Sequence, residues 1–423
     1  MKKVLIVLTA SAVCGLVGCQ SVPTIPQSNA GGQAADYGGW ELPEHIVPND
    51  ATISLYQEKR LQLISIRRRW GRLYKIPPKG NAESFTTTTT PLSAAVEREL
   101  SSGYLFSYLF YDNGELKYNG KASAGRFSRD IDDEMLFYSH STGKSITSYI
   151  IGHAICDGYI SSADEPLDWP LMSKTLYQGQ PLRNLLNMNA GDGHTVNERA
   201  NRVIGTNTHH RDLGLDTIAA ALEGTQKRGE AVRYNNVLTD ILANYVVYKA
   251  GSNYDSLMRE VFQNKVKIKY EVAYERHANT LTNGKQSPYF GQLQTSASYS
   301  YYMTRLDFLR VAIAMMRDYQ NKSCVGEYLR DLQKKAVAWP KYRPYENNSW
   351  KWLHRYAKSY GGQFYLNFEG MSDRNIFATE GYNGQNMMID MDKSRIVVTN
   401  SAATAWSQKI FMLDVIRNGA LPK

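Results

Sequence analysis

Cysteine is scarce in this chain, with four in 423 residues. Cys14 and Cys19 stand at the very start, so Cys156 and Cys324 are the only pair left that could cross-link the body of the protein. Cys156 falls at the end of a predicted helix, where a small buried apolar side chain is its expected role, and no disulfide is expected. A bilayer-spanning run is also lacking. The apolar stretch Val4 to Val17 is too short to cross as a stable helix. Past residue 50 there is no internal repeat, low-complexity run or second linker, which favours one large domain with two lobes. Gly143-Lys144-Ser145 looks like the end of a phosphate-binding loop, but Tyr138 stands where the first glycine belongs, so a nucleotide cradle is excluded. His209 and His210 are adjacent and would point to different faces of a helix or strand, and His194 stands apart, so surface histidines are expected rather than a metal site.

What is present begins with a secretion signal, residues 1–18, in which Lys2 and Lys3 precede the apolar run. It ends in Leu16-Val17-Gly18-Cys19, a lipobox-like sequence, so Cys19 is the expected lipidation site. Acyl chains there would anchor the protein without a spanning helix. Gln20, rather than Asp, after the cysteine points to an outer-membrane lipoprotein facing the periplasm. Residues 19–52 read as a Gly-, Ala-, Pro- and Ser-rich tether, leaving 53–423 as the folded domain. Without Lys2 and Lys3, 47 basic residues face 40 acidic ones. Some of the excess lies in Arg67-Arg68-Arg69-Trp70-Gly71-Arg72-Leu73-Tyr74-Lys75, a cluster read chiefly as a solvated helix face, with anionic headgroups as the rival partner. Nucleic acid is not an expected partner of an exported protein.

The chemistry centres on Ser141-Thr142-Gly143-Lys144. Ile146, Tyr149, Ile150, Ala154 and Ile155 recur at helical spacing, predicting a helix with one buried face and Ser141 at its N-terminus. Lys144 lies one turn on, on the same side. Burial disfavours an ammonium ion, so such a lysine can accept the serine proton. Val232-Arg233-Tyr234-Asn235-Asn236 leads into a second predicted helix carrying Val237, Leu238, Ile241 and Leu242. Tyr234 at that loop-to-helix junction is a candidate proton shuttle. A third helix is predicted over Met303 to Arg317. Strands are predicted at Gly103 to Tyr111 and Glu115 to Asn119 about an Asp-Asn-Gly turn, and again at 376–378, 387–389 and 396–398, with a final helix over 408–418. Gly381 and Gly384 would let the backbone approach a substrate.

Taken in order, these motifs resemble the beta-lactamase-related serine hydrolases, nearest the family VIII esterase and aminohexanoate-dimer hydrolase branch. The likeness runs from about Gly103 to the C-terminus: Ser141-x-x-Lys144, then Tyr234-x-Asn236, then Tyr382-Asn383-Gly384-Gln385 in place of a Lys-Thr-Gly strand. It implies an α+β, beta-lactamase/transpeptidase-like fold, with an antiparallel sheet lobe at about 53–136 and 371–423 and a mostly helical lobe at about 137–370. It also implies that Ser141 is acylated, that Lys144 and Tyr234 carry protons, and that Asn236 orients substrate. The N–H groups of Ser141 and Gln385 would form an oxyanion hole beside Tyr382 and Gly384. No metal or organic cofactor is required. Tyr382 replaces the basic residue that meets a substrate carboxylate, so an ester or amide is expected rather than a penicillin. A non-catalytic or slow penicillin- or wall-peptide-binding protein and a cell-wall carboxypeptidase are the alternatives.

Overall fold

Strand β3 (Leu105–Asp112) is buried from Leu105 to Tyr111, and β4 (Glu115–Lys121) returns beside it. The turn between them uses Asn113 and Gly114, both at positive φ, the geometry of a tight two-residue hairpin. The computed structural model describes residues 49–69, 73–88, 93–192, 215–278, 281–282, 285–286, 293–340 and 352–423. The signal sequence, Cys19, nearly all of the tether, residues 70–72 of the basic cluster, and His194, His209 and His210 lie outside the described residues. Everything described belongs to one compact unit, Tyr37–Lys423.

Ahead of β3 come α1 (Asp50–Arg69), β1 (Leu73–Ile76), β2 (Thr86–Thr87) and α2 (Ala94–Ser101); after β4 come β5 (Leu136–Tyr138) and α3 (Thr142–Cys156). The middle of the chain gives α4 (Leu182–Leu186), α5 (Leu215–Ala221), α6 (Asn236–Ala250) and α7 (Tyr254–Arg259). Strands β6 (Val272–Ala278), β7 (Leu281–Thr282), β8 (Lys285–Gln286) and β9 (Leu293–Thr304) follow, then α8 (Arg305–Asn321) and α9 (Cys324–Lys334). The chain ends with β10 (Val337–Ala338), β11 (Ala357–Gly361), β12 (Phe364–Phe368), β13 (Ile376–Gly381), β14 (Gln385–Asp390), β15 (Arg395–Ser401) and α10 (Asp414–Asn418).

Nine strands form the main sheet in the order β10-β11-β12-β13-β14-β15-β3-β4-β2. All its pairs are antiparallel except β2 with β4. Because β3 inserts between β15 and β4, the first and last parts of the chain close one sheet, as expected for an α+β fold. No helix among the described residues is long and apolar enough to cross a membrane.

Three expectations need correction. The stretch 137–370 is not only helical: β1, β6, β9 and β5 make a second, four-stranded antiparallel sheet, and β11 and β12 join the main sheet before residue 371. Met303 lies in β9, and the helix starts at Arg305, where the Thr304 hydroxyl caps it by accepting from the Asp307 N–H. The aromatic run Tyr299 to Tyr302 suits a pleated, buried strand better than a helix. Finally, Cys156 pairs with Cys324, since α9 begins beside the end of α3.

Candidate active site

Ser141 stands at the N-cap of α3, and its hydroxyl makes no capping hydrogen bond. Lys144 Nζ instead donates to Ser141 Oγ at 3.0 Å and to the carbonyl of Ser298 at 3.0 Å. Thr142 through Ala154 are all buried, so α3 is enclosed on every side rather than along one face as its periodicity suggested. That enclosure matters chemically: Lys144 is 1% exposed, and burial lowers its pKa to about 7, with Asp240 pulling the other way.

The turn ahead of the helix is held from both sides. Ser139 donates its N–H to Tyr301 O at 2.8 Å and its hydroxyl to Tyr299 O at 3.0 Å, while Tyr301 N–H donates back to Ser139 Oγ at 3.1 Å. His140 then takes φ +46, an uncommon conformation for a residue with a side chain, immediately before the nucleophile. Gly143 permits the close approach of α3 to β9. A Cβ there would lie 2.9 Å from Ala297 O and 2.9 Å from Ser139 Oγ.

Helix α6 supplies the second side of the site. Asn235 caps it, its Oδ1 accepting from Leu238 N–H at 3.1 Å, and its Nδ2 donates to buried Asp192 at 3.0 Å. Tyr177 donates to the same carboxylate at 2.8 Å. Arg233 N–H is tied to Met188 O at 2.7 Å, fixing the loop that carries Tyr234 just past α4. Tyr234 is half-buried, its ring centroid 4.9 Å from Lys144 Nζ. Asn236 is buried in the first turn. One turn on, Asp240 accepts the N–H groups of Ala297 and Ser298, each at 3.0 Å. Burial pushes its pKa up to about 6 against those bonds and the nearby ammonium.

The sheet supplies the third side. Gly381, at the end of β13, lies against the nucleophile turn: a Cβ there would sit 2.7 Å from Ser139 O and 2.7 Å from Gln385 O. Tyr382 is half-buried, with its ring 5.7 Å from that of His140. Gly384, at φ +82, closes the turn by donating to Gly381 O at 3.0 Å. Gln385 is 2% exposed. Its carbonyl accepts from Thr142 Oγ1 at 2.5 Å and its side chain donates to Ser401 O at 2.6 Å, so both are taken up by partners inside the protein.

Ser141, Lys144 and Tyr234 thus come together, with Tyr382 and Gln385 beside the neighbouring residues His140 and Thr142. Sequence reasoning missed Asp240, His140 and Ser298. Asp240 had a signal, as an acidic side chain among the apolar positions Val237, Leu238, Ile241 and Leu242. Ser298 had none once β9 was overlooked.

No protein-family model matches this chain, and no curated protein matches it. Solved structures do. The chain is similar to a protein described as a candidate 6-aminohexanoate-dimer hydrolase from Bacillus anthracis, at TM-score 0.57 and 13% identity over 85% of this chain and 92% of that one. It is similar to a candidate beta-lactamase from Bacteroides dorei, at TM-score 0.54 and 15% identity over 78% and 97%. A D-stereospecific amidohydrolase from Streptomyces sp. aligns at TM-score 0.51 and 13% identity over 78% and 100%. At these identities the likeness shows the fold, which is that of the beta-lactamase and penicillin-binding protein-like hydrolases.

Proposed function

We propose that the protein is a serine hydrolase that cleaves an amide or ester through an acyl-enzyme on Ser141. The observation carrying this reading is Lys144 Nζ, 3.0 Å from Ser141 Oγ, buried and with its pKa lowered to about 7. Neutral Lys144 takes the hydroxyl proton as Ser141 Oγ bonds to the substrate carbonyl carbon. Collapse of the tetrahedral adduct breaks the bond to the leaving amine or alcohol, which receives the proton by way of Tyr234. Water then attacks the acyl ester, the same groups take and return a proton, and the acid leaves with Ser141 restored. The backbone N–H of Ser141, at the start of α3, is the donor this reading assigns to the developing oxyanion, together with that of Gln385. The rim residue Tyr382 brings no positive charge for a substrate carboxylate, which favours amides and esters over penicillins.

The same reading keeps the lipid anchor at Cys19, the outer-membrane, periplasm-facing location, and Asn236 and Gln385 as substrate-orienting and oxyanion groups. Turnover of a panel of chromogenic esters and anilides by the full-length protein tests it. Ser141→Ala and Lys144→Ala are each expected to lower kcat/KM by at least about 10³-fold. Equal turnover by the parent and Ser141→Ala would overturn it.

A further inference from the structure

Thr142 follows the nucleophile directly and is fully buried. Its Oγ1 donates to Gln385 O at 2.5 Å and lies 3.0 Å from Thr379 Oγ1, which accepts the Met387 N–H at 3.0 Å. A carbonyl oxygen can only accept, so the single hydroxyl proton of Thr142 is committed to Gln385. At the contact between the two hydroxyls Thr379 must therefore be the donor. The run is ordered from end to end: Met387 N–H to Thr379, Thr379 to Thr142, and Thr142 to the carbonyl of Gln385. Each bond in such a buried chain polarises the next, and none can be lost without leaving a polar group unmatched.

Its members lie on three different elements. Thr379 is in β13, Gln385 and Met387 are in β14, and Thr142 opens α3. Gly381 and Gln385 are partners across the two strands, at the turn that carries Tyr382. The Thr142 hydroxyl thus joins the start of the Ser141 helix to the start of β14, across 243 residues of sequence. One residue back from Thr142 is the Ser141 N–H, and Gln385 itself carries the second N–H that the hydrolase reading assigns to the oxyanion. Two donors on separate elements serve one oxygen only while their separation is held, and a misplacement of about 1 Å can cost on the order of 10²-fold in rate.

We propose that Thr142 is a positioning residue for acylation: by holding the Gln385 carbonyl, its hydroxyl sets the separation of the Ser141 and Gln385 N–H groups. This rests on the reading of Ser141 as an acylated nucleophile. Thr142 itself touches neither the substrate nor the transferred proton.

The test compares full-length parent, Thr142→Val and Thr142→Ser. Valine keeps the shape and removes the hydroxyl, whereas serine keeps the hydroxyl. The rate constant for fluorophosphonate labelling of Ser141 is expected to fall at least about 30-fold in Thr142→Val and to stay within about threefold of the parent in Thr142→Ser. Phenylboronic acid, which forms a tetrahedral adduct on a serine hydroxyl, is expected to bind Thr142→Val more weakly by a similar factor. The pH midpoint of labelling should not move, because the Lys144 bonds to Ser141 and Ser298 are untouched. Equal labelling of parent and Thr142→Val, a loss that Thr142→Ser shares, or a loss accompanied by a shifted midpoint overturns the proposal while leaving Ser141 chemistry intact. A parent that takes no label overturns it together with the hydrolase reading. Should Thr142→Val fail to fold, Thr142→Cys, whose thiol is a weak donor, replaces it with the same expected loss.

Discussion

Two buried ionisable groups, Lys144 and Asp240, share the polar interior behind Ser141, and each alters the charge state of the other. The amine is lowered to about 7 by burial while Asp240 raises it; the carboxyl is raised to about 6 by burial while Lys144 lowers it. Only the neutral amine can take the serine proton, so Ser141 acylation should rise with pH through about 7 and level off above it. Asp240→Asn removes the influence that holds the ammonium on. The midpoint should therefore move to lower pH, although the amide oxygen can still accept from the Ala297 and Ser298 N–H groups. The initial rate of labelling by a fluorophosphonate, followed from pH 5 to 9, measures both effects. A flat profile, or an upward shift in Asp240→Asn, would contradict this assignment of the base.

At the scale of elements, Asn235 shows how positioning and stability are joined. The same side chain caps α6 and donates to Asp192, and the residue before it is Tyr234. Asn235→Ala should cost about 1 kcal/mol for the cap and roughly 1–3 kcal/mol for the lost donor to a buried carboxylate. A lower urea midpoint with unchanged slope is the expected outcome, together with slower labelling of Ser141. An unchanged midpoint would show that neither bond matters. Much of this level was legible in the sequence. The Asn-Gly hairpin, the helix behind Ser141 and the helix behind Tyr234 each carry a local signal, a turn dipeptide or a 3.6-residue period. Strand β9 was not legible, because its alternation is filled with buried Ser and Tyr residues whose partners, β5 and β6, are distant or adjacent only after folding. Nor was the enclosure of α3. Periodicity shows that one face of a helix is apolar, but not that Thr142, Lys144 and Ser148 on the others find buried partners.

Over the whole molecule, α3 is fixed at both ends, by the site at Ser141 and by the Cys156–Cys324 bridge to α9. The sequence offered that pair but not its geometry, since the two cysteines are 168 residues apart. Loop-closure entropy puts a cross-link across a loop of that size at about 5 kcal/mol, against about 2–4 kcal/mol typical of disulfides, chiefly by restricting the unfolded chain. Cys324→Ser, or dithiothreitol added to the parent, should lower the urea midpoint correspondingly, and equal midpoints would exclude a stabilising bridge. The central claim is narrower, that this fold holds an open, activated serine. Its most direct measurement is the intact mass of the full-length protein after a fluorophosphonate probe, alongside Ser141→Ala. One adduct on the parent and none on Ser141→Ala is the expected result. A folded parent that takes no adduct, or a mutant labelled equally, would contradict it.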